Sequence, residues 1–283
     1  MRHPWQLNVL VALLIAAGVA AVLAPPIVRD ASFHVYADHR AWLGIPNAGD
    51  VLSNLPFLLV GVVGLLGLAV SRRTPLAIAL FVSLVGVGLG SGAYHAAPGD
   101  ASLALDWAPI VLTLGFLASL VIEDRIDKRV GTLAAVAFPV IAIVAVAAWY
   151  VGGGTGTGTG TGTGGAPDGA PGDMRFYVLT QAALVTLIAV AALLPPAPGA
   201  PASLDRRWIL AGVAGFLAAR GVAAADAALL DEVGLSGHSA KHLLLGLAAA
   251  CLIPSLHVQR GEGAQTSARR TGEARRRSVE ALD

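Results

Sequence analysis

Eight long apolar segments dominate this sequence and limit what it can fold into. A helix needs roughly 20 mostly apolar residues to cross the hydrocarbon core of a bilayer, and every segment is close to that length. The segments cover about residues 7–28, 51–70, 75–96, 104–122, 131–151, 176–195, 208–226 and 238–257. The sequence therefore predicts an all-α protein that crosses a membrane several times.

The composition agrees with this class and excludes others. Only 13% of the residues are charged, whereas soluble domains usually carry about a quarter. The net charge of +1 gives no reason to expect a nucleic-acid partner. The single cysteine, Cys251, excludes an intrachain disulfide and a cysteine-rich zinc site. A metal ion in this chain would therefore need histidine and carboxylate ligands.

Lysine and arginine alternate between the connecting loops. Arginines precede the first segment, separate the second from the third, follow the fourth and precede the seventh, whereas loops 97–103 and 227–237 carry no Lys or Arg. By the positive-inside rule, this alternation predicts eight helices with both termini in the cytoplasm. The composition, rich in Ala, Gly and Arg, suits a bacterial inner-membrane protein. The first apolar segment is long for a signal-peptide core and has a poor cleavage site, so we expect it to be a retained helix.

Two regions lack the composition of a packed core. Residues 152–175 are rich in glycine and include a Thr-Gly repeat, which predicts a flexible linker. Residues 259–283 form a polar, arginine-rich tail, which we expect to be disordered and cytoplasmic.

Histidines at the ends of the apolar segments predict a metal site. His238 and His242 are four residues apart, so both can lie on one helix face and reach one ion. Ser91 and His95 have the same spacing at the end of the third segment, and Asp106 lies near the start of the fourth. On the predicted topology His95, Asp106, His238 and His242 fall at one level near the outer face of the membrane, and Ser91 lies one turn from His95. Ionisable residues at such positions are costly and indicate a functional site.

The residue types suggest hydrolytic chemistry. Three imidazoles leave a fourth zinc position for water, as in catalytic zinc sites, and zinc lowers the pKa of bound water to about 7. Asp106 is then placed to act as general base or to orient the water. Ser91 could donate a hydrogen bond to the developing oxyanion. The competing interpretations are an interfacial or capping histidine for His95 and a helix-packing serine for Ser91.

These motifs resemble the alkaline ceramidase family, which belongs to a superfamily of seven-helix membrane hydrolases that includes the adiponectin receptors. The shared pattern is Ser-x-x-x-His, then Asp near the start of the next helix, then His-x-x-x-His in the last core helix. Segment 44–57 also resembles the family's Ser-Asn entry into its first core helix, and the resemblance spans roughly residues 38–257.

The resemblance implies specific roles and boundaries. Zinc would be held by His95, His238 and His242, Asp106 would activate the water, and Ser91 would assist. The reaction would hydrolyse a membrane lipid amide to a fatty acid and an amine. A seven-helix catalytic core would occupy 31–258, and residues 1–30 would be an additional N-terminal transmembrane helix.

Calcium is a second cofactor that the resemblance raises, because eukaryotic ceramidases bind it through an acid-rich segment before the first core helix. The candidate ligands here are Asp38 and Asn47, near Asp50. So few carboxylates predict a weak site. Asp38 could instead pair with Arg40 or cap a helix.

Arg220, in the outer half of the seventh segment, is a candidate for binding a lipid headgroup or a site carboxylate, or for snorkelling outward as a packing residue. Asp226, six residues on, does not share its helix face. Lys241 lies between the two metal-binding histidines and is expected to point away from its neighbours, which makes it a weaker candidate.

Three other functions remain open from the sequence. Hydrolysis of a lipid ester, as in a phospholipase-type acyl hydrolase, would use the same zinc-bound water. A receptor-like membrane sensor would keep zinc for structure. A transporter would also place ionisable residues in the membrane, but no repeated pair of broken helices is evident.

Overall fold

The helical, membrane-spanning architecture is confirmed by a computed structural model that describes residues 4–28, 31–70, 74–152, 172–196 and 204–257. Within these ranges the chain has no β-strand, and seven helices are long and apolar enough to cross a membrane, or eight if one bent pair is counted as a span. The predicted linker 152–175 lies mostly outside the described residues, and the predicted tail 259–283 lies wholly outside them.

The helices, in chain order, are α1 (Pro4–Leu23), α2 (Ala48–Leu52), α3 (Leu55–Val70), α4 (Pro75–Ala96), α5 (Asp100–Arg125), α6 (Lys128–Val151), α7 (Arg175–Leu193), α8 (Arg206–Ala223), α9 (Asp226–Val233), α10 (Gly237–Ala250) and α11 (Leu252–His257), with a short 3₁₀ helix at Ala31–His34.

Helix α1 packs on the side of the bundle, mainly against α7. The Gln6 amide donates to the carbonyl oxygen of Pro195 at 2.9 Å, and the Arg175 guanidinium donates to the carbonyl oxygen of Ala24 at 2.6 Å. Only 11% of the apolar part of α1 is buried by the rest of the chain. A peripheral position suits an added helix, and the division into residues 1–30 and 31–258 stays a prediction.

The predicted span 208–226 is broken, unlike the straight helix that its hydropathy suggested. Helix α8 ends at Ala223, and α9 leaves it at an angle of 82° from Asp226. The Asp226 carboxylate accepts hydrogen bonds from the backbone N–H of Ala37 at 3.0 Å and of His238 at 2.8 Å. These contacts join distant parts of the chain, so the hydropathy pattern carries no sign of them.

Helices α4 and α5 approach each other closely at Gly90. A Cβ atom there would collide with the backbone carbonyl oxygen of Leu105, so a larger residue would force the two helices apart. Small residues allow this kind of backbone contact between membrane helices. The contact places Ser91 on α4 beside Asp106 on α5, which brings two of the predicted site residues together.

Candidate metal centre

Three imidazoles meet where α4 ends and α10 begins. The ring nitrogens of His95, His238 and His242 that can bind a metal all lie within 4.8 Å of one another. His95 Nε2 and His238 Nε2 are 3.2 Å apart, and His95 and His242 are only 1% and 3% exposed. The structure therefore assembles the three predicted ligands into one group that could hold a metal ion.

One distance in this group and its imidazole chemistry are compatible with zinc. Nitrogen ligands 2.0–2.1 Å from a tetrahedral zinc ion lie roughly 3.3 Å apart, close to the 3.2 Å between His95 and His238. The same imidazole set would also suit other first-row metals, so geometry alone leaves the identity of the ion open.

The start of α10 is fixed by its neighbours. Ser236 caps the helix, because its hydroxyl oxygen accepts from the backbone N–H of Ser239 at 2.9 Å. A Cβ atom on Gly237 would lie 2.8 Å from the backbone of Asp226, so only glycine lets α9 approach this closely. Both features hold His238 and His242 in the first two turns of α10.

Two polar side chains outside the cluster hold the ring of His242. Ser53 Oγ lies 2.9 Å from His242 Nδ1 and also donates to the carbonyl oxygen of Asp50 at 2.9 Å. The Asn54 amide nitrogen lies 3.3 Å from the same ring nitrogen. Both contacts are made at Nδ1, which leaves Nε2 for a metal ion, and such supporting contacts are usual for metal-binding histidines.

Replacing Ser53 by alanine is expected to lower metal affinity by about 10–100-fold, the usual effect of losing such a supporting contact. Competition with a zinc-sensitive dye would measure the change. Ser255→Ala is a matched control, since Ser255 is fully buried and donates to Leu252 of its own helix, as Ser53 does to Asp50. Equal metal affinities in the two variants would show that Ser53 does not support metal binding.

Asp50 anchors α2 to α10 and was missed as a site residue. Its side chain is fully buried, and Oδ1 accepts from Ser239 Oγ at 2.6 Å and Ser236 Oγ at 3.1 Å. Asp50 lies three residues before Ser53, so the two share a helix face. Its contacts with Ser236 and Ser239 join α2 to α10, so no local spacing in the sequence indicates them.

Tyr36 covers two of the histidines. Its ring centroid lies 4.2 Å from that of His238 and 4.8 Å from that of His95, and its hydroxyl is 2.7 Å from the Tyr94 hydroxyl. Burial raises the pKa of Tyr36, so the phenol stays neutral. An aromatic residue in a loop carries no periodic signal, which is why the sequence did not indicate this role.

Residues 33–38 form a strap that holds Tyr36 in this position. His34 Nε2 lies 2.9 Å from Asp100 Oδ1, and His34 Nδ1 lies 3.0 Å from the Tyr94 hydroxyl. Further along, the backbone of Ala37 is bonded to Asp226. The strap is thus tied to α4, α5 and α9 over the histidine cluster.

Asp106 and Ser91 lie together in a cavity beside the cluster, as the sequence predicted. Both line the cavity with Lys241 and His242. Asp106 is 7% exposed, and among the described residues its Oδ1 atom has no hydrogen-bond partner. That oxygen is a buried acceptor to which no described side chain or backbone group donates.

The cavity has a volume of about 180 Å³ and runs from these polar groups into an apolar interior. Ser91, Asp106 and Lys241 come from the helix ends nearest the histidines. Deeper along the same bundle the walls are apolar and include Leu84, Leu114, Leu117, Ile188, Val213 and Leu252. A mostly apolar cavity with a few convergent polar groups has the form of a small-molecule binding site.

Lys241 lies closer to the cluster than the sequence suggested. Its Nζ atom is 2.9 Å from His238 Nε2, so the expectation that it points away from its neighbours is wrong. Residues three apart share a helix face, and that spacing relates Lys241 to His238. Arg220 also lines the cavity, and in the described part of the chain its guanidinium has no side-chain partner.

The two candidate calcium ligands have other partners. Asp38 Oδ1 and Oδ2 each lie 2.8 Å from a guanidinium nitrogen of Arg40, which confirms the ion pair predicted as the alternative. Hydrogen bonding to this guanidinium lowers the pKa of Asp38. The Asn47 amide donates to the carbonyl oxygen of His95 at 2.8 Å. A calcium ion at Asp38 would have to displace Arg40.

No protein-family model matches this chain, and no curated protein matches it. Its function is therefore inferred from the geometry of the site and the motifs that form it.

Proposed function

We propose that this protein is a zinc-dependent membrane hydrolase of the alkaline ceramidase type. It would cleave the amide bond of a ceramide-like N-acyl lipid to a fatty acid and an amine. The supporting observation is the position of Asp106 and Ser91, which share the polar end of an apolar cavity with one member of a buried three-histidine group. A purely structural metal site would need neither the cavity nor the carboxylate.

His95, His238 and His242 would hold the zinc ion, which supplies an activated water and polarises the lipid carbonyl when bound. Asp106, which lines the cavity, would take the water proton and return it to the leaving nitrogen. Ser91, which lines the same cavity, would assist by donating a hydrogen bond to the developing oxyanion. Tyr36 of the strap covers the rings of His95 and His238.

The decisive experiment combines metal removal with a substrate panel. Protein purified in neutral detergent should release fatty acid from N-acyl lipids, lose this activity after chelation, and regain it with zinc. Matched lipid esters in the same panel distinguish an amidase from an esterase. If no acyl lipid is cleaved while zinc raises the melting temperature, the protein is a sensor with a structural metal.

We further propose that the protein lies in a bacterial inner membrane with both termini in the cytoplasm and the site near the outer face. The alternation of arginines between loops supports this orientation. A reporter fused after Thr161 should be active outside, and one fused after Gly261 should be active inside. The reverse pattern would place the site at the cytoplasmic face.

A further inference from the structure

Two cationic side chains and one carboxylate line the cavity. Lys241 and Arg220 both contribute to its walls, and of the described residues that line it Asp106 is the only acid. The remaining polar groups of the lining, such as Thr113 and Gln181, are neutral. The cavity therefore carries an excess of positive charge before any metal ion is considered.

The position of Lys241 is unfavourable for a site that binds only a metal. Its Nζ atom lies 2.9 Å from His238 Nε2, a proposed ligand atom. A lysine ammonium repels a divalent cation at this range, and the interaction is strong inside a protein. An anionic ligand beside the ammonium and the metal ion would be attracted to both of them.

Arg220 supplies a second cation with free donors. It lies in the last turn of α8, and among the described residues no carboxylate or carbonyl accepts from its guanidinium. Asp226, the nearest acid along the chain, instead accepts from the backbone of Ala37 and His238. A guanidinium offers a planar pair of donors that matches carboxylate and phosphate groups.

We infer that Lys241 and Arg220 form an anion-recognition site at the polar end of the cavity, and that the preferred substrate is an N-acyl lipid whose headgroup carries a carboxylate or phosphate near the scissile amide. This inference rests on the proposed function and narrows its substrate class. A neutral headgroup would leave the Arg220 guanidinium without an anion to accept its hydrogen bonds.

Binding can be tested without catalysis. Dodecyl phosphate and dodecanol share a chain and differ in charge, so the full-length zinc-loaded protein should show a larger rise in melting temperature with dodecyl phosphate. Lys241→Gln and Arg220→Gln should each weaken binding of the anion about tenfold, the effect of losing one charge-assisted hydrogen bond. Lys128→Gln and Arg206→Gln are matched controls, since both residues are exposed and neither lines the cavity. Equal shifts with the two amphiphiles would overturn the inference.

Hydrolysis assays distinguish two sources of the bound anion, the substrate headgroup and the released fatty acid. N-dodecanoylglycine and N-dodecanoylethanolamine have the same acyl chain, and the charged amide should have a kcat/KM about tenfold higher, mainly through KM. The Gln variants should lose this preference while they keep their zinc. If dodecyl phosphate binds but the neutral amide is the better substrate, the cations bind the released fatty acid, and the substrate assignment is wrong. If the anion binds selectively and neither amide is cleaved, the anion site stands and the proposed hydrolase function fails.

Discussion

Replacing His242 by alanine is expected to remove zinc and reduce lipid hydrolysis to the background rate. His242 is 3% exposed, it lines the cavity, and Ser53 fixes its ring through Nδ1. Without it the remaining two imidazoles would bind zinc weakly, because catalytic zinc sites use three protein ligands. Elemental analysis should give about one zinc ion per chain for the wild type and almost none for the variant.

His39→Ala is the matched control, because His39 is exposed and is not a member of the three-histidine group. It should retain both zinc and turnover. A His242→Ala protein that keeps its full zinc content would show that the metal binds elsewhere. Thermal unfolding in detergent, with and without added zinc, reports folding separately from activity, since an ion that binds only the native state raises its stability.

Replacing Asp106 by asparagine should separate catalysis from metal binding. The amide keeps the size of the carboxyl, but it cannot accept a proton from water. We expect zinc content to stay at the wild-type level and kcat to fall by about 10²–10⁴-fold, the usual contribution of a general base. A fall in kcat with little change in KM would place the loss in the chemical step.

Asp205→Asn provides the comparison for this change. Asp205 caps α8 by accepting from the N–H of Arg207, asparagine is an equally good cap, and the residue lies outside the cavity. Loss of zinc in Asp106→Asn would make Asp106 a ligand. Full turnover with zinc retained would exclude it as the base.

Much of the fold follows from local sequence. Each long apolar segment became helical, because length and hydropathy are properties of the segment itself. The break between α8 and α9 could not be predicted in this way. It depends on Asp226, whose partners Ala37 and His238 are remote in sequence or belong to another helix.

The candidate site was likewise only partly predictable from the sequence. His95, His238 and His242 could be grouped from spacing and predicted depth alone. Asp50 and Tyr36 could not, because their roles depend on contacts with α10 and α4 that only the packed chain creates. The contact between Lys241 and His238 could have been predicted from the sequence, because the two residues are three apart on one helix and share a face.

The strap has a consequence for how a substrate would arrive. Tyr36 and its partners close the histidine cluster on the side of the loops, while the cavity runs between membrane-spanning helices. A lipid would then enter sideways from the bilayer instead of from water. Turnover would follow the mole fraction of substrate in the membrane, and diluting it with inert lipid or detergent at constant bulk concentration would slow the reaction.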